Sequence, residues 1–315
     1  MLEGSGRSPA PVGITVNSGH WRVITVNVTE PYVEEGHFPF AGQVDCLVII
    51  QVGDFGYFPD HRDGPRFLAA VDQACAANGV ELWFIDGNHD DHTSLAELEH
   101  GQIPVHVAEH VTYLPRGTRL HVGSRTFGFL GGAFSVDWRD RTAGIDWWHH
   151  EVTDTDDVAR LGTEQLDVLI THDAPAGVDL LSSWRLPAED QVRADAVRAL
   201  VAQATTATSP QLLVHGHWHH GYESELNWID RATTDRTGAL TWDSTHVVGL
   251  GCDGDAERGW IILDLPTLDI TWPIADHSAI DPDGSRLTAD VFEGGIENGT
   301  RGPNAIRTDS PTKLE

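Results

Sequence analysis

The stretch Leu82-Trp83-Phe84-Ile85-Asp86-Gly87-Asn88-His89-Asp90 sets a short apolar run directly before a polar motif. Three other places repeat that arrangement. Cys46-Leu47-Val48-Ile49-Ile50 leads to Gly53-Asp54, and Val168-Leu169-Ile170 to Thr171-His172-Asp173. Leu212-Leu213-Val214 leads to His215-Gly216-His217-Trp218-His219. Each run is short and rich in branched residues and stops at Gly, Asp or His, which reads as a buried strand ending in a loop. Polar residues just past the carboxyl ends of such strands can meet in one crevice. Those positions supply carboxylate, amide oxygen and imidazole. The mixture suits a borderline divalent metal such as Mn, Fe or Zn better than an all-oxygen Ca site.

Each motif alone has a plainer reading. Gly53-Asp54 by itself is an ordinary strand-ending turn. Asn88 fits a turn that needs a left-handed backbone. His89 and Asp90 fit a surface pair, and His172 a satisfied core histidine. The cluster of His215, His217, His219 and His220 resists such a reading. Gly216 opens a loop there, so His217 and His219 are the expected ligands, with His215 behind them and His220 on the surface. Together the four motifs point to a metal site.

Their order resembles the calcineurin-like metallophosphoesterase family, in a bacterial or phage-type branch, from about Gln43 to Asp264. The family pattern is Asp-x-His, Gly-Asp, Gly-Asn-His-Asp/Glu, a lone His and Gly-His-x-His; the last four elements stand here in order. The resemblance implies an α/β four-layer sandwich of two mixed β-sheets flanked by helices. It also implies hydrolysis of a phosphomonoester or phosphodiester by a metal-activated water. Asp54 would bridge two divalent ions (Mn, Fe or Zn). Asn88, His172 and His217 would complete one shell, and His219 would touch the other ion. His89 would face the substrate phosphate, and Asp90 would orient its ring. A carboxylate has two oxygens and can link two cations, and paired ions can clamp the attacking and leaving oxygens of a displacement.

The first family element is not visible. The expected first strand, Trp21 to Val26, runs into Asn27-Val28-Thr29, whose Asn and Thr are poor substitutes for Asp and His. Three explanations stand side by side. One ion binds and the second binds weakly or not at all; unusual ligands such as Glu35 and His37 replace the pair; or residues 1 to about 42 stem from an altered reading frame. The alternative function is then a catalytically impaired binding module with a single metal.

Helices are expected at Arg66 to Asn78, from Ser94 and at Asp190 to Ala204, the last burying Val192, Ala196, Leu200 and Val201. Strands are expected at Val111 to Leu114, Leu120 to Val122, Thr126 to Leu130, Thr245 to Leu250 and Trp260 to Leu263. Trp147, Trp148, Arg139 and Arg141 belong to a segment that borders the crevice in the resembled fold. There they would stack on a base or contact phosphate, or else form a tryptophan plug with exposed arginines.

At 315 residues, with 40% apolar residues and 11 Trp, the chain can fill a large core. The interleaved motifs favour one domain, 13–274, with loosely ordered segments at 1–12 and 275–315. A net charge of −28 argues against broad binding to nucleic-acid backbone. A small phosphorylated substrate or nucleotide remains compatible, because bound metal would create a local positive field. No run reaches transmembrane length, the start lacks signal-peptide shape, and three dispersed cysteines suggest no disulfide framework, so a cytoplasmic, membrane-free protein is expected. Its oligomeric state is open.

Overall fold

The central strands are covered on both faces, which is why they are continuous apolar runs and not alternating ones. The computed structural model describes residues 22–26, 48–98, 101–180, 186–234, 240–252, 255 and 257–273, with side chains described outside 22–26 and 228–243. In chain order the strands are β1 (Arg22–Val26), β2 (Val48–Gln51), β3 (Glu81–Phe84), β4 (Val105–His106), β5 (Val111–Tyr113), β6 (Arg119–Val122) and β7 (Arg125–Leu130). They continue as β8 (Val168–Thr171), β9 (Leu212–His215), β10 (Tyr222–Thr234), β11 (Leu240–Gly249), β12 (Trp260–Asp264) and β13 (Ile270–Thr271). The α-helices are α1 (Gly64–Asn78), α2 (His92–Leu98), α3 (Thr155–Leu161) and α4 (Ala188–Thr208).

These strands make two mixed sheets. One has seven strands in the order β13-β12-β1-β2-β3-β5-β4; the other has six in the order β10-β11-β9-β8-β7-β6. The motif-bearing strands are central and parallel within each sheet: β2 beside β3 in the first, β8 beside β9 in the second. Val48, Ile50, Trp83 and Ile85 of the first sheet meet Phe129, Val168, Ile170, Leu212 and Val214 of the second in one shared core. Intervening residues point the opposite way, as the two-residue period requires. Ile49, Leu82 and Phe84 pack with Val71 and Cys75 of α1 and Leu95 of α2. Leu169 and Leu213 pack with Val158 and Leu161 of α3 and Ala204 of α4. Truncating a fully buried residue such as Ile50 or Ile170 to Ala would cost about 2–5 kcal/mol.

Register aligns the strand ends. Val26, Gln51, Phe84 and Tyr113 lie in one row across the first sheet. Leu130, Thr171, His215 and Gly249 lie in one row across the second. The four polar motifs begin at Thr171 and His215 and within three residues after Gln51 and Phe84.

The expected strands and helices occur at these places with ends shifted by a few residues. The first strand spans Arg22–Val26, parallel to β2 and antiparallel to β12. Asn27, Thr29, Glu35, His37 and Cys46 lie outside the described residues, as do the segments 1–12 and 275–315. Of the four residues expected on the buried face of α4, Val201 is buried and Leu200 packs against the core, whereas Val192 and Ala196 are exposed. Asp190, Ala194, Val197, Val201 and Ala204 point inward, whereas Val192 is 69% exposed. The inward face begins with an acidic residue, Asp190, which pairs with Arg139, so apolarity alone misplaced part of the stripe. Strands β4, β10 and β13 and helix α3 were not expected. Helix α3 starts with a capping box in which the Asp154 side chain accepts from the Asp156 and Asp157 backbones and Asp157 returns to the Asp154 N–H. Among the described residues, no helix is long and apolar enough to cross a membrane.

Candidate metal centre

Asp54, Asn88 and His172 come together although they leave strands of two different sheets. His172 Nε2 lies 3.3 Å from Asp54 Oδ1 and 3.1 Å from Asn88 Oδ1. All three side chains are buried. The close approach depends on two glycines. A Cβ on Gly53, which has φ of +100°, would sit 2.1 Å from His172 Nδ1. A Cβ on Gly87 would sit 2.0 Å from Asp54 Oδ1.

The hydrogen bonds settle which atoms face inward. His172 Nδ1 is 2.7 Å from the Val52 carbonyl, so Nδ1 carries a proton and donates. In the neutral ring Nε2 then presents a lone pair. Asn88 Nδ2 donates to Ser135 Oγ at 3.0 Å, which turns Oδ1 toward His172. Ser135 is held in turn by Glu151, whose Oε1 accepts from the Ser135 N–H at 3.1 Å. Asp54 Oδ1 also accepts from the His89 N–H at 2.9 Å. Three acceptor atoms therefore converge with no intrinsic proton between them. Either an added proton on His172 or a cation reconciles them, and the fixed Nδ1–carbonyl bond is the usual support of a metal-ligating histidine. The donor set thus fits the expected divalent ion. Burial pushes the His172 ring down, but the Asp54 carboxylate outweighs it and carries the ring up to about 9. Burial likewise opposes charge on Asp54, yet His172 holds that carboxyl well below its ordinary value.

His217 stands beside this trio, half-buried, with its ring centroid 5.1 Å from that of His172. His219 is exposed. Among the described residues, no group of three or more His, Cys, Asp or Glu side chains is arranged to hold a metal ion, so the amide oxygen of Asn88 is needed to complete a set of three. The backbone adds an independent signal. Asp54, His217 and His219 have φ of 60°, 64° and 52°. Non-glycine residues there store roughly 1–3 kcal/mol each and cluster at functional sites. The other two such residues described, Ser209 and Leu268, sit at the end of α4 and in the β12–β13 turn.

His89 and Asp90 correct an expectation. Asp90 does not orient the His89 ring. Asp90 Oδ1 accepts from the Gly56 and Tyr57 N–H groups and Oδ2 from Gly87 N–H, each at 2.8 Å. It therefore splices the Gly53-Asp54 loop to the Gly87 loop. Burial and the nearby Asp54 raise its carboxyl to about 7. The exposed His89 ring meets Arg141 instead, whose Nη2 lies 2.7 Å from both ring nitrogens. Partial enclosure lowers this imidazole below its usual value; Asp54 opposes that and Arg141 adds to it. Arg141 is steadied by Asp137 at 3.0 Å and by the Asp146 carbonyl at 3.2 Å. Arg139 instead pairs with Glu189 and Asp190. Trp148 is buried and donates to Thr93 Oγ1 at 2.8 Å, while Trp147 packs on Trp138 and His149.

His215 is fully buried, bonded to Gly216 O at 2.9 Å and Tyr222 Oη at 2.6 Å, and burial lowers it to about 4. His220 is exposed and stacks on Tyr222. Several supporting residues carried no strong sequence signal. Gln51 brackets Gly53, accepting from its N–H at 2.9 Å and donating to its carbonyl. Arg116 reaches Asp86, immediately before Gly87, at 2.6 Å, and also binds Asp157 at 3.2 Å. Breaking such a buried pair typically costs about 3–5 kcal/mol. Only the residue type of Asp86, an acid closing an apolar run, hinted at this.

Compared with protein-family models and with curated proteins, the chain matches none.

Proposed function

We propose that this chain is a metal-dependent hydrolase of phosphomonoester or phosphodiester bonds, built as a calcineurin-like four-layer sandwich. The observation that carries the reading is the convergence of Asp54 Oδ1, Asn88 Oδ1 and His172 Nε2, with His172 Nδ1 committed to the Val52 carbonyl. Asp54, Asn88, His172 and His217 would hold one divalent ion (Mn, Fe or Zn), and His219 would contribute to a second. Such ions act as Lewis acids and activate water near neutral pH. The protein's own part is positional and protonic. His89 stands exposed beside Arg141, with its backbone tied to Asp54, so its ring is placed to donate to a leaving oxygen or to bind phosphate. Arg141 adds a fixed positive charge for an anionic substrate, as charge-assisted recognition of phosphate requires. A small phosphorylated molecule or nucleotide is the proposed substrate class.

Metal content of purified protein, paired with bis-p-nitrophenyl phosphate hydrolysis in added Mn, tests this. Metal and turnover in the wild type, both lost in Asp54→Asn, are the expected results. Full turnover in that variant would refute the assignment. The second reading, a one-ion binding module, is favoured by Asn27-Val28-Thr29 after β1, where neither end residue is a strong ligand. One bound ion with no turnover on mono- or diesters would put that reading first.

A further inference from the structure

Two of the strained residues, His217 and His219, flank a single residue, Trp218. Trp218 is anchored on two sides. Its indole Nε1 donates to Asp173 Oδ1 at 2.8 Å, and the Arg198 guanidinium lies over its ring, 5.6 Å from the centroid. Both anchors are themselves fixed. Asp173 is buried, accepts from the Ala174 N–H at 2.7 Å, and follows His172 directly. Arg198, from α4, donates to the Pro175 and Val178 carbonyls at 3.1 and 2.8 Å. The His217 ring meets the Trp218 ring edge-on at 5.6 Å. The backbone between them is tight: Trp218 N–H donates to Gly216 O at 2.7 Å, and Gly216 N–H to His172 O at 3.1 Å.

We infer that Asp173 and Trp218 form a lock that holds the His217–His219 turn in its strained backbone and ties it to the His172 loop. A left-handed conformation at two non-glycine residues persists only where the surroundings over-determine it. Here the side chain between the two histidines is the one pinned to the neighbouring motif. Releasing Trp218 lets the turn relax, and the His217 imidazole leaves its place beside His172, while His219, on the same turn, moves with it. Asp173 and Trp218 are positioning residues, acting through His217 and His219. The metal part of this inference rests on the proposed function; the conformational part does not.

The test therefore has two readouts. The first is amide hydrogen exchange across residues 215–221 in chelator-treated protein. The second is Mn affinity. Trp218→Phe and Asp173→Leu remove the indole–carboxylate bond, whereas Asp173→Asn keeps an acceptor oxygen. Expected results are lost protection of the turn in Trp218→Phe and Asp173→Leu, and Mn binding weakened by roughly 10–100-fold, the usual effect of removing a ligand's supporting partner. Asp173→Asn should keep the protection and lose less than about tenfold in affinity. The double variant Asp173→Leu/Trp218→Phe should be no worse than Asp173→Leu alone, because the indole–carboxylate bond is already broken in that single variant. Should Asp173→Leu fail to fold, Trp218→Phe against Asp173→Asn decides alone. Unchanged exchange in Trp218→Phe would overturn the lock. A wild type that binds no Mn, with the exchange pattern as expected, would support the lock and sink the metal reading.

Discussion

Replacing Asp54 with Asn should remove a pH dependence of stability that the metal-free protein shows in mildly alkaline solution. Burial pushes the His172 ring down, but the Asp54 carboxylate 3.3 Å away carries it from 6.5 up to about 9. Between those values the folded chain keeps a proton that the unfolded chain has released, so stability falls as pH rises. The contribution is fully present below 6.5 and is lost as pH passes through about 9. One extra bound proton corresponds to roughly 1.4 kcal/mol per pH unit, so the whole effect is about 3 kcal/mol. Asn at position 54 keeps the shape and an oxygen for the His89 N–H but has no charge to hold the proton. Asp90 complicates only the lower range: its carboxyl is raised to about 7, so its own cost to stability grows below that pH and is complete above it. Urea unfolding in chelator, at a series of pH values above about 7, measures the difference between the two proteins. That difference should shrink by most of the 3 kcal/mol (roughly) toward pH 9. Parallel stability curves would refute the pairing of Asp54 with a protonated His172. Added Mn should reverse the trend, because the ion needs the lone pair and expels the proton. Calorimetry of Mn binding in two buffers of different ionisation enthalpy should therefore register proton release near neutral pH.

Three further outcomes are expected. His89→Ala should retain metal and lose roughly 10²–10⁴-fold in turnover, since it removes a proton donor but no bond within the Asp54–Asn88–His172 set; loss of metal instead would make His89 a ligand or a structural residue. Gly87→Ala drives a Cβ to 2.0 Å from Asp54 Oδ1 and 2.3 Å from its backbone N. It should destabilise by about 1–3 kcal/mol or more and cut Mn binding, measured by thermal unfolding and metal titration. Asp90→Asn turns an amide NH₂ toward one of the three N–H groups that the carboxylate accepts, and should cost about 1–3 kcal/mol. Its metal affinity should fall with its stability, because the bonds it breaks join the Asp54 and Gly87 loops.

The framework was legible in the chain because its causes are local. Val48-Ile49-Ile50, Val168-Leu169-Ile170 and Leu212-Leu213-Val214 are branched and uninterrupted, so they read as strands buried on both faces, and the shared core and outer helices supply those two faces. Asp54, Asn88 and His172 were readable as candidate site residues from position alone, just past such runs. Other features gave no such signal. The stripe of α4 was read correctly at Leu200 and Val201 but misplaced at Val192 and Ala196, because its inward face begins at Asp190, whose partner Arg139 lies in a distant loop. The His89–Asp90 pairing that the resemblance implied does not form: in space Asp90 turns to three backbone N–H groups and His89 turns to Arg141. Helix α3 had a cue in Asp154 and Asp157 that a pattern built on apolar spacing passed over.

By itself, then, the sequence determined that short buried strands end in residues able to bind a divalent cation, because strand period and side-chain chemistry are properties of neighbours along the chain. Only the tertiary structure decided that lone pairs from two separate sheets point at one another, that Asp90 is a splice between loops, and that Trp218 is tethered to Asp173. Those relations are distances between residues far apart in the chain. They exist only once the two sheets share a core and bring the ends of β2, β3, β8 and β9 to one place.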